Sequence, residues 1–319
     1  VMNPSLKLCA YGALLVALAA MPQLVPVKYY IHLGVLALIW VIVAQGQNLI
    51  QGCTGYVSIV QAGFMGVGAY GSTLMGLHFH LPVWLTLVLA PVLTALFALA
   101  AGYPSLRVKG HYFAIVTLAF NLVIFIVLMN FTSLTHGEAG ISDIPKPAGV
   151  KGLVDFSQRN TYYYLALAAA AGSTGLAALI MRSRIGQILS AIRQNETLVG
   201  AMGIPAWRYK LFAFVASAMY AGFAGALYAH YQGFINPDVF GVAQSLDAIL
   251  AVIIGGSGTV AGPVIGAFFV VLLPEMLRFA DGFRLIVYGL VLVLATIFMP
   301  RGIVGGAALL ADRLKGARS

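Results

Sequence analysis

Between Tyr29 and Leu106 the chain carries no Asp, Glu, Lys or Arg, an uncharged run of 78 residues. No water-soluble domain can hide such a segment. A hydrocarbon core about 30 Å thick takes about 20 apolar residues per helical crossing, so this run alone has room for three. The rest of the chain agrees: 61% of its 319 residues are hydrophobic and 8% are charged, against about 25% charged in an ordinary soluble domain. The sequence therefore predicts an all-α polytopic membrane protein of about eight to ten spans. A soluble enzyme, a secreted module and a single-pass receptor are excluded.

The formal net charge of +9 is read through the positive-inside rule, not as a nucleic-acid footprint. Cys9 and Cys53 lie in apolar context, with no C-x-x-C pair and no histidine cluster beside them, and read as packing residues. A first span or anchor is expected at 8–25, then spans near 31–50, 53–76, 82–103 and 111–130. The span at 53–76 is dense in glycine (Gly52, Gly55, Gly63, Gly66, Gly68, Gly71 and Gly76), with Thr54, Ser58, Gln61 and Ser72 among them. Such a segment belongs among other helices and invites a local break.

Arg107 and Lys109 mark a short basic turn, and 131–160 forms an ordered, charge-balanced loop rich in Gly and Pro. A span at 162–181 opens on the aromatic belt Tyr162, Tyr163 and Tyr164. The segment 182–210 then sets Arg182, Arg184, Arg193, Arg208 and Lys210 against the single acid Glu196, which places it in the cytoplasm. Alternation outward from it puts 131–160 outside and both termini inside. After a span at 211–230, the apolar run 246–274 is interrupted by Gly255, Gly256, Gly258, Gly262 and Pro263. It is expected to split into elements at 246–254 and 262–275 joined by irregular backbone, a break tolerated only where it is buried or lines a cavity. A last span at 285–299 precedes a basic tail at 300–319.

Chemistry is sparse. There is no G-x-x-x-x-G-K-[ST] phosphate loop, no H-E-x-x-H, no G-x-S-x-G elbow and no carboxylate pair within a span. Asp247 and Glu275 stand at the ends of an apolar run, His32, His111 and His230 near span ends, and His78 and His80 in an outer turn. No catalytic residue and no metal site is assigned, and a self-powered carrier with a mid-membrane charge relay is disfavoured. What the spans do contain is neutral polarity: Gln45 with Asn48 and Thr117 with Asn121 at i, i+3 and i, i+4, besides Gln61. Two readings stand for these five residues, hydrogen bonding between helices and the lining of a path for a small polar solute. Within 182–210, Ile185, Leu189, Ile192, Val199 and Met202 recur at near-helical intervals before Gly203 and Pro205. That is a short amphipathic helix, lying on lipid or docked in the groove of a soluble partner.

Three long runs, GYPSLRVKGHYFAIVTLAF (102–120), RSRIGQILSAIRQNETLVGAMGIPAWRYKLFAF (182–214) and LDAILAVIIGGSGTVAGPVIGA (246–267), resemble the permease subunits of bacterial branched-chain amino-acid ABC importers. Within that group they are most similar to the M-type member of the two-permease pair. The resemblance implies a BtuC-like type II importer fold in the bacterial inner membrane. It also implies partnership with a second, homologous permease, two cytoplasmic ATPase subunits and a periplasmic substrate-binding protein. ATP and Mg would then bind the partners, and this chain would hold no cofactor itself. The resemblance makes 182–204 the element that docks on an ATPase, with Gly186, Ala191, Arg193, Glu196 and Gly203 at motif positions. Small residues there would permit close docking, Arg193 and Glu196 would pair with each other or with the partner, and Gly203 would end the helix. The outer run THGEAGISDIP (135–145) departs from the family's pattern at His136 and Ser142. Branched-chain amino acids are the cargo so implied. Related importers of urea, short amides or organic and aromatic acids share these motifs, and an autonomous channel or carrier is the reading from another class.

Overall fold

The computed structural model describes residues 18–23, 27–108, 110–149, 156, 158–277, 289–290, 293 and 302–306. Nine helices of more than ten residues lie within them. These are α1 Lys28–Gln47, α2 Gln61–Phe79, α3 Val83–Ser105, α4 His111–Asn130, α5 Arg159–Arg182, α6 Arg184–Ala201, α7 Ala206–Gln232, α8 Val242–Gly255 and α9 Ala261–Met276. Six segments are long and apolar enough to cross a membrane: Lys28–Gly52, Val83–Ser105, His111–Asn130, Arg159–Arg182, Ala206–Gln232 and Pro237–Gly255. The expected last span at 285–299 and most of the expected first span at 8–25 fall outside the described residues, as does most of the basic tail.

Burial sorts the helices. From Ile31 to Gln47, α1 is buried on nearly every side, which is the lot of a helix that is apolar all round. It forms the centre together with α2 and α7, while α4 and α5 present most of their surface outward. The centre is held tight by missing side chains. A methyl group at Gly68 of α2 would run into the Gly222 backbone of α7, and one at Gly225 into the Met65 carbonyl. In an apolar solvent, where helices gain nothing from hiding greasy surface, such close backbone approach is what holds them together.

Between α4 and α5 the described residues 131–149 fold back onto the bundle. Ile141 and Ile235 pair as an antiparallel bridge (2.9 and 3.0 Å), and the Ile144 amide donates to the Gly233 carbonyl. Beneath them, buried His230 donates through Nδ1 to the Pro145 carbonyl at 2.7 Å, which leaves Nε2 to accept from Ser72 at 2.8 Å. The loop is thus fastened to the ends of α2 and α7. His136 and Asp143 adopt left-handed backbone, and Ser142 donates to the Asp143 carboxylate.

One expected span is redrawn by the backbone, and one expected break is found. The span expected at 53–76 is not one helix: α1 runs through a π-helical turn, Asn48–Gly52, then 55–60 is irregular, and α2 begins only at Gln61. Glycines that a buried helix tolerates also permit it to stop, and the donors that make stopping tolerable come from other helices. The run 246–274 does break, between α8 and α9, with 256–260 irregular.

Candidate functional site

The two breaks and α6 converge at one end of the bundle. A helix that stops in apolar surroundings strands its last carbonyls and its first amides, each at a cost of several kcal/mol if left bare. Their partners here are the neutral polar residues that stand out in the sequence. Asn48 accepts from the Gly258 amide at 2.8 Å and donates to the Thr259 carbonyl at 2.9 Å. Gln45 donates to the Val260 carbonyl at 2.8 Å. The Ile59 amide donates to Thr117 Oγ1 at 3.0 Å. The first turn of α2 has no cap from its own sequence, yet the Ala62 amide donates to Ser245 of α8 at 2.9 Å and the Gly63 amide to Asn121 of α4 at 2.7 Å. Gln61 donates to the Val43 and Ser217 carbonyls and accepts from Ser217 Oγ at 3.0 Å.

Gln45, Asn48, Gln61, Thr117 and Asn121 are all buried. Of the two readings left open for them, hydrogen bonding between elements is what the geometry displays. Two of their atoms, Gln45 Oε1 and Asn121 Nδ2, are buried without a protein partner.

The glycines at 255–262 shape the second break. Gly256 and Gly258 have φ of +124° and +78°, which side chains resist. A methyl at Gly255 would strike the Gly262 carbonyl, and one at Gly262 the Gly256 carbonyl. Thr259 closes the turn by donating to the Gly256 carbonyl at 2.8 Å and accepting from the Gly262 amide at 3.0 Å.

Helix α6 seats on this junction. Ser183 caps its start by accepting from the Gly186 amide. At Asn195 the backbone leaves helical geometry (φ −160°, ψ 99°) and the Asn195 side chain accepts from the Leu198 amide at 3.0 Å. It therefore acts as the N-cap of a second short helical stretch, so the element is bent. Gly203 follows with φ of +80° and ends it.

Arg193 and Glu196 do not pair with each other, as the resemblance had allowed; each turns toward the bundle. Arg193 donates to the Gly52 carbonyl at 2.5 Å and to Ser257 Oγ at 3.2 Å, so one guanidinium links α6 to both breaks. Its fork of donors suits a carbonyl that the helix has released. Glu196 accepts from Lys210 at 2.8 Å and from Tyr56 at 2.5 Å, with Lys210 Nζ also 4.4 Å above the Tyr56 ring. Burial first, then the Glu196 carboxylate, pushes the Tyr56 hydroxyl above its ordinary pKa. Gly186 is small for a reason within the chain: a side chain there would strike the Met181 and Ile180 carbonyls at the end of α5.

The other side of α6 is open. Leu198 and Met202 are 61% and 71% exposed. With Gln187, Ser190, half-buried Ala191 and Gln194 they border a surface cavity of about 700 Å³.

Sequence reasoning missed Lys210, Tyr56, Ser245, Ser257 and Asn195. Lys210 looked like one more cation of a basic loop. Asn195 carried a readable signal, a good N-cap residue followed at once by an acid.

The family described as branched-chain amino acid transport system / permease component matches residues 29–296. The chain is 32% identical to the high-affinity branched-chain amino acid transport system permease protein LivM of Salmonella typhimurium over 314 residues, covering 91% of this chain and 73% of that protein. The LivM protein of Escherichia coli matches equally, at 32% over the same coverage. The permease protein LivH of Escherichia coli is 25% identical over 289 residues, covering 83% of this chain and 91% of LivH. No solved structure matches significantly. Helices, breaks and relatives converge on one conclusion: this multi-pass membrane protein belongs to the permease component family of branched-chain amino acid transport systems.

Proposed function

We propose that this chain is the M-type permease subunit of an ATP-driven importer that moves branched-chain or closely related amino acids inward across the bacterial inner membrane. It works beside a second, homologous permease, two cytoplasmic ATPase subunits and a periplasmic binding protein. In this reading 182–210 and both termini are cytoplasmic, and 131–160 faces the binding protein. ATP and Mg are held by the partners; this chain supplies the passage and the receiving surface. Nucleotide shifts the permease between states because the ATPases have different affinity for each of them.

The observation that carries the reading is the two-sided build of α6. Its inner side is anchored to both backbone breaks through Arg193 and Glu196, and its outer side offers exposed Leu198 and Met202 beside a cavity. An element so placed receives a push from outside the bundle and delivers it to the bundle's least regular backbone. Apolar anchors that sit in a partner's pocket dominate an interface. The double substitution Leu198→Glu and Met202→Glu is therefore expected to leave the chain in the membrane with its permease partner and to strip the ATPases from the complex. Mild-detergent purification with mass spectrometry reads this directly, and undiminished ATPase recovery would refute the docking surface. Uptake of labelled leucine, competed with unlabelled leucine, urea and benzoate, separates the amino-acid cargo from the related amide and aromatic-acid cargoes.

A further inference from the structure

We propose that the irregular segment 55–60 is the strap through which displacement of α6 reaches α4, with Tyr56 as its point of attachment. This rests on the coupling role given to α6 above and adds the route inside the permease.

The strap is tied to α1 at one point, where Gln47 donates to the Ser58 carbonyl at 3.0 Å, and is held on both sides of it. On the α6 side, Tyr56 donates its hydroxyl to Glu196 at 2.5 Å, and Arg193 binds the Gly52 carbonyl just before the strap begins. On the α4 side, the Tyr56 ring meets Phe113 edge-on at 5.3 Å and the Ile59 amide donates to Thr117 at 3.0 Å. Tyr56 is thus a two-ended connector, its polar tip on one helix and its ring on the other.

What makes the strap matter is that it grips the first half of α4, whose second half rests on α2 through Asn121, Ile124 and Leu128. Only Phe113, Thr117, Asn121 and Leu128 of α4 are buried, a single stripe along one face. Phe113 and Thr117 meet the strap, and Asn121 caps the helix that the strap leads into. Phe113 also touches Phe214 of α7 at 5.9 Å. The remaining face, with Ile115, Leu122, Val123 and Ile126, is exposed. A helix gripped along one stripe moves when the segment gripping it moves. The strap, unlike a helix, has no internal ladder of hydrogen bonds to absorb the motion. Contiguous packing and hydrogen bonds of this kind carry coupling between sites, and a variant that cuts the chain at one link tests it.

Tyr56→Phe removes the link to α6 and keeps the ring on Phe113. Thr117→Val removes the link to α4 and keeps the shape. The test uses the complete complex with its ATPases in nanodiscs, carrying Cys9→Ser and a spin label on Leu122→Cys; Cys53 is buried. The unaltered strap is expected to give an ATP-dependent change in label mobility. In Tyr56→Phe that change should vanish, with ATP hydrolysis retained and uptake down about tenfold, the size of an ordinary coupling free energy. Should Tyr56→Phe impair assembly, Thr117→Val reads the same link from the other end.

An ATP-dependent label response that persists in both variants would overturn the strap. So would a parent complex that imports solute with no label response at all, an outcome that leaves the coupling role of α6 standing. Failure of any ATPase to associate with the parent would instead remove the coupling reading, and the strap with it.

Discussion

The two broken stretches of backbone, 48–60 and 256–260, meet the same physical demand in opposite ways. The first is stabilised by side chains brought from elsewhere: Thr117 and Asn121 of α4, Ser245 of α8 and Arg193 of α6 satisfy groups that α1 and α2 leave bare. The second rests first on the lack of side chains, with Gly255 and Gly262 letting two helix ends approach and Thr259 closing the turn between them, while Asn48 and Gln45 of α1 tie it from outside. A donor from another helix can be withdrawn when that helix moves. A turn closed on itself moves as a unit. The first break is therefore suited to be the adjustable one, and the second to be the fixed bearing against which Asn48 and Arg193 rest.

That contrast ranks the consequences of substitution. Steric damage to the self-closed turn comes first, because its neighbours are main-chain carbonyls that cannot rotate aside. Gly262→Val would drive a branched side chain into the Gly256 carbonyl, at a cost of about 3 kcal/mol. The chain is expected to reach the membrane yet run as aggregate in fluorescence-detected gel filtration. A monodisperse Gly262→Val protein with the parent's melting temperature would show that the close approach does not hold the turn.

Next comes the residue that joins the two breaks. Asn48→Leu keeps the volume and deletes both polar contacts, leaving the Gly258 amide and the Thr259 carbonyl without it. Orphaning these half-buried main-chain groups costs about 2 kcal/mol in sum, more than the net gain from making an ordinary hydrogen bond. Hydrogen exchange should report the loss at the Gly258 amide first, while α2 stays protected. Equal loss of protection in α2 would mean that the two breaks open as one unit.

How much of this could be read before the fold was known follows the same division. The break at 256–260 was visible, because Gly255, Gly256, Gly258 and Pro263 fall together and both glycine freedom and proline restriction are written in residue identity. The break at 55–60 was visible only as an invitation to break somewhere within 53–76, since Gly55, Thr54 and Ser58 also suit a tightly packed helix and its place is set by Thr117 and Ser245 arriving from outside. The polar residues were legible as residues, and their number inside apolar spans marked them as having work to do. Their partners are mostly main-chain atoms at breaks, which periodicity does not reveal. The contact that Arg193 makes with the Gly52 carbonyl was hidden for a related reason. An arginine on an amphipathic helix is read as solvated, and the reading fails where a neighbouring helix ends and offers a bare carbonyl.

The smallest effect is expected where a polar side chain supports helices that are already complete. Gln61 and Ser217 bond to each other across α2 and α7, and the carbonyls of Val43 and Ser217 that Gln61 also reaches lie within continuous helix. Removing Gln61 strands little, because those carbonyls keep their own helical amides. Polar contacts between helices in a bilayer contribute about 0.6 kcal/mol on average, since the unfolded chain finds partners too. A double-mutant cycle on Gln61→Leu and Ser217→Ala, followed by equilibrium unfolding in mixed micelles, should therefore give a coupling energy of about 1 kcal/mol or less. It should fall below the cost of Asn48→Leu alone. A coupling as large as that cost would mean that contacts inside intact helices matter as much as those at the breaks, and the distinction between the two kinds of polar residue would fail.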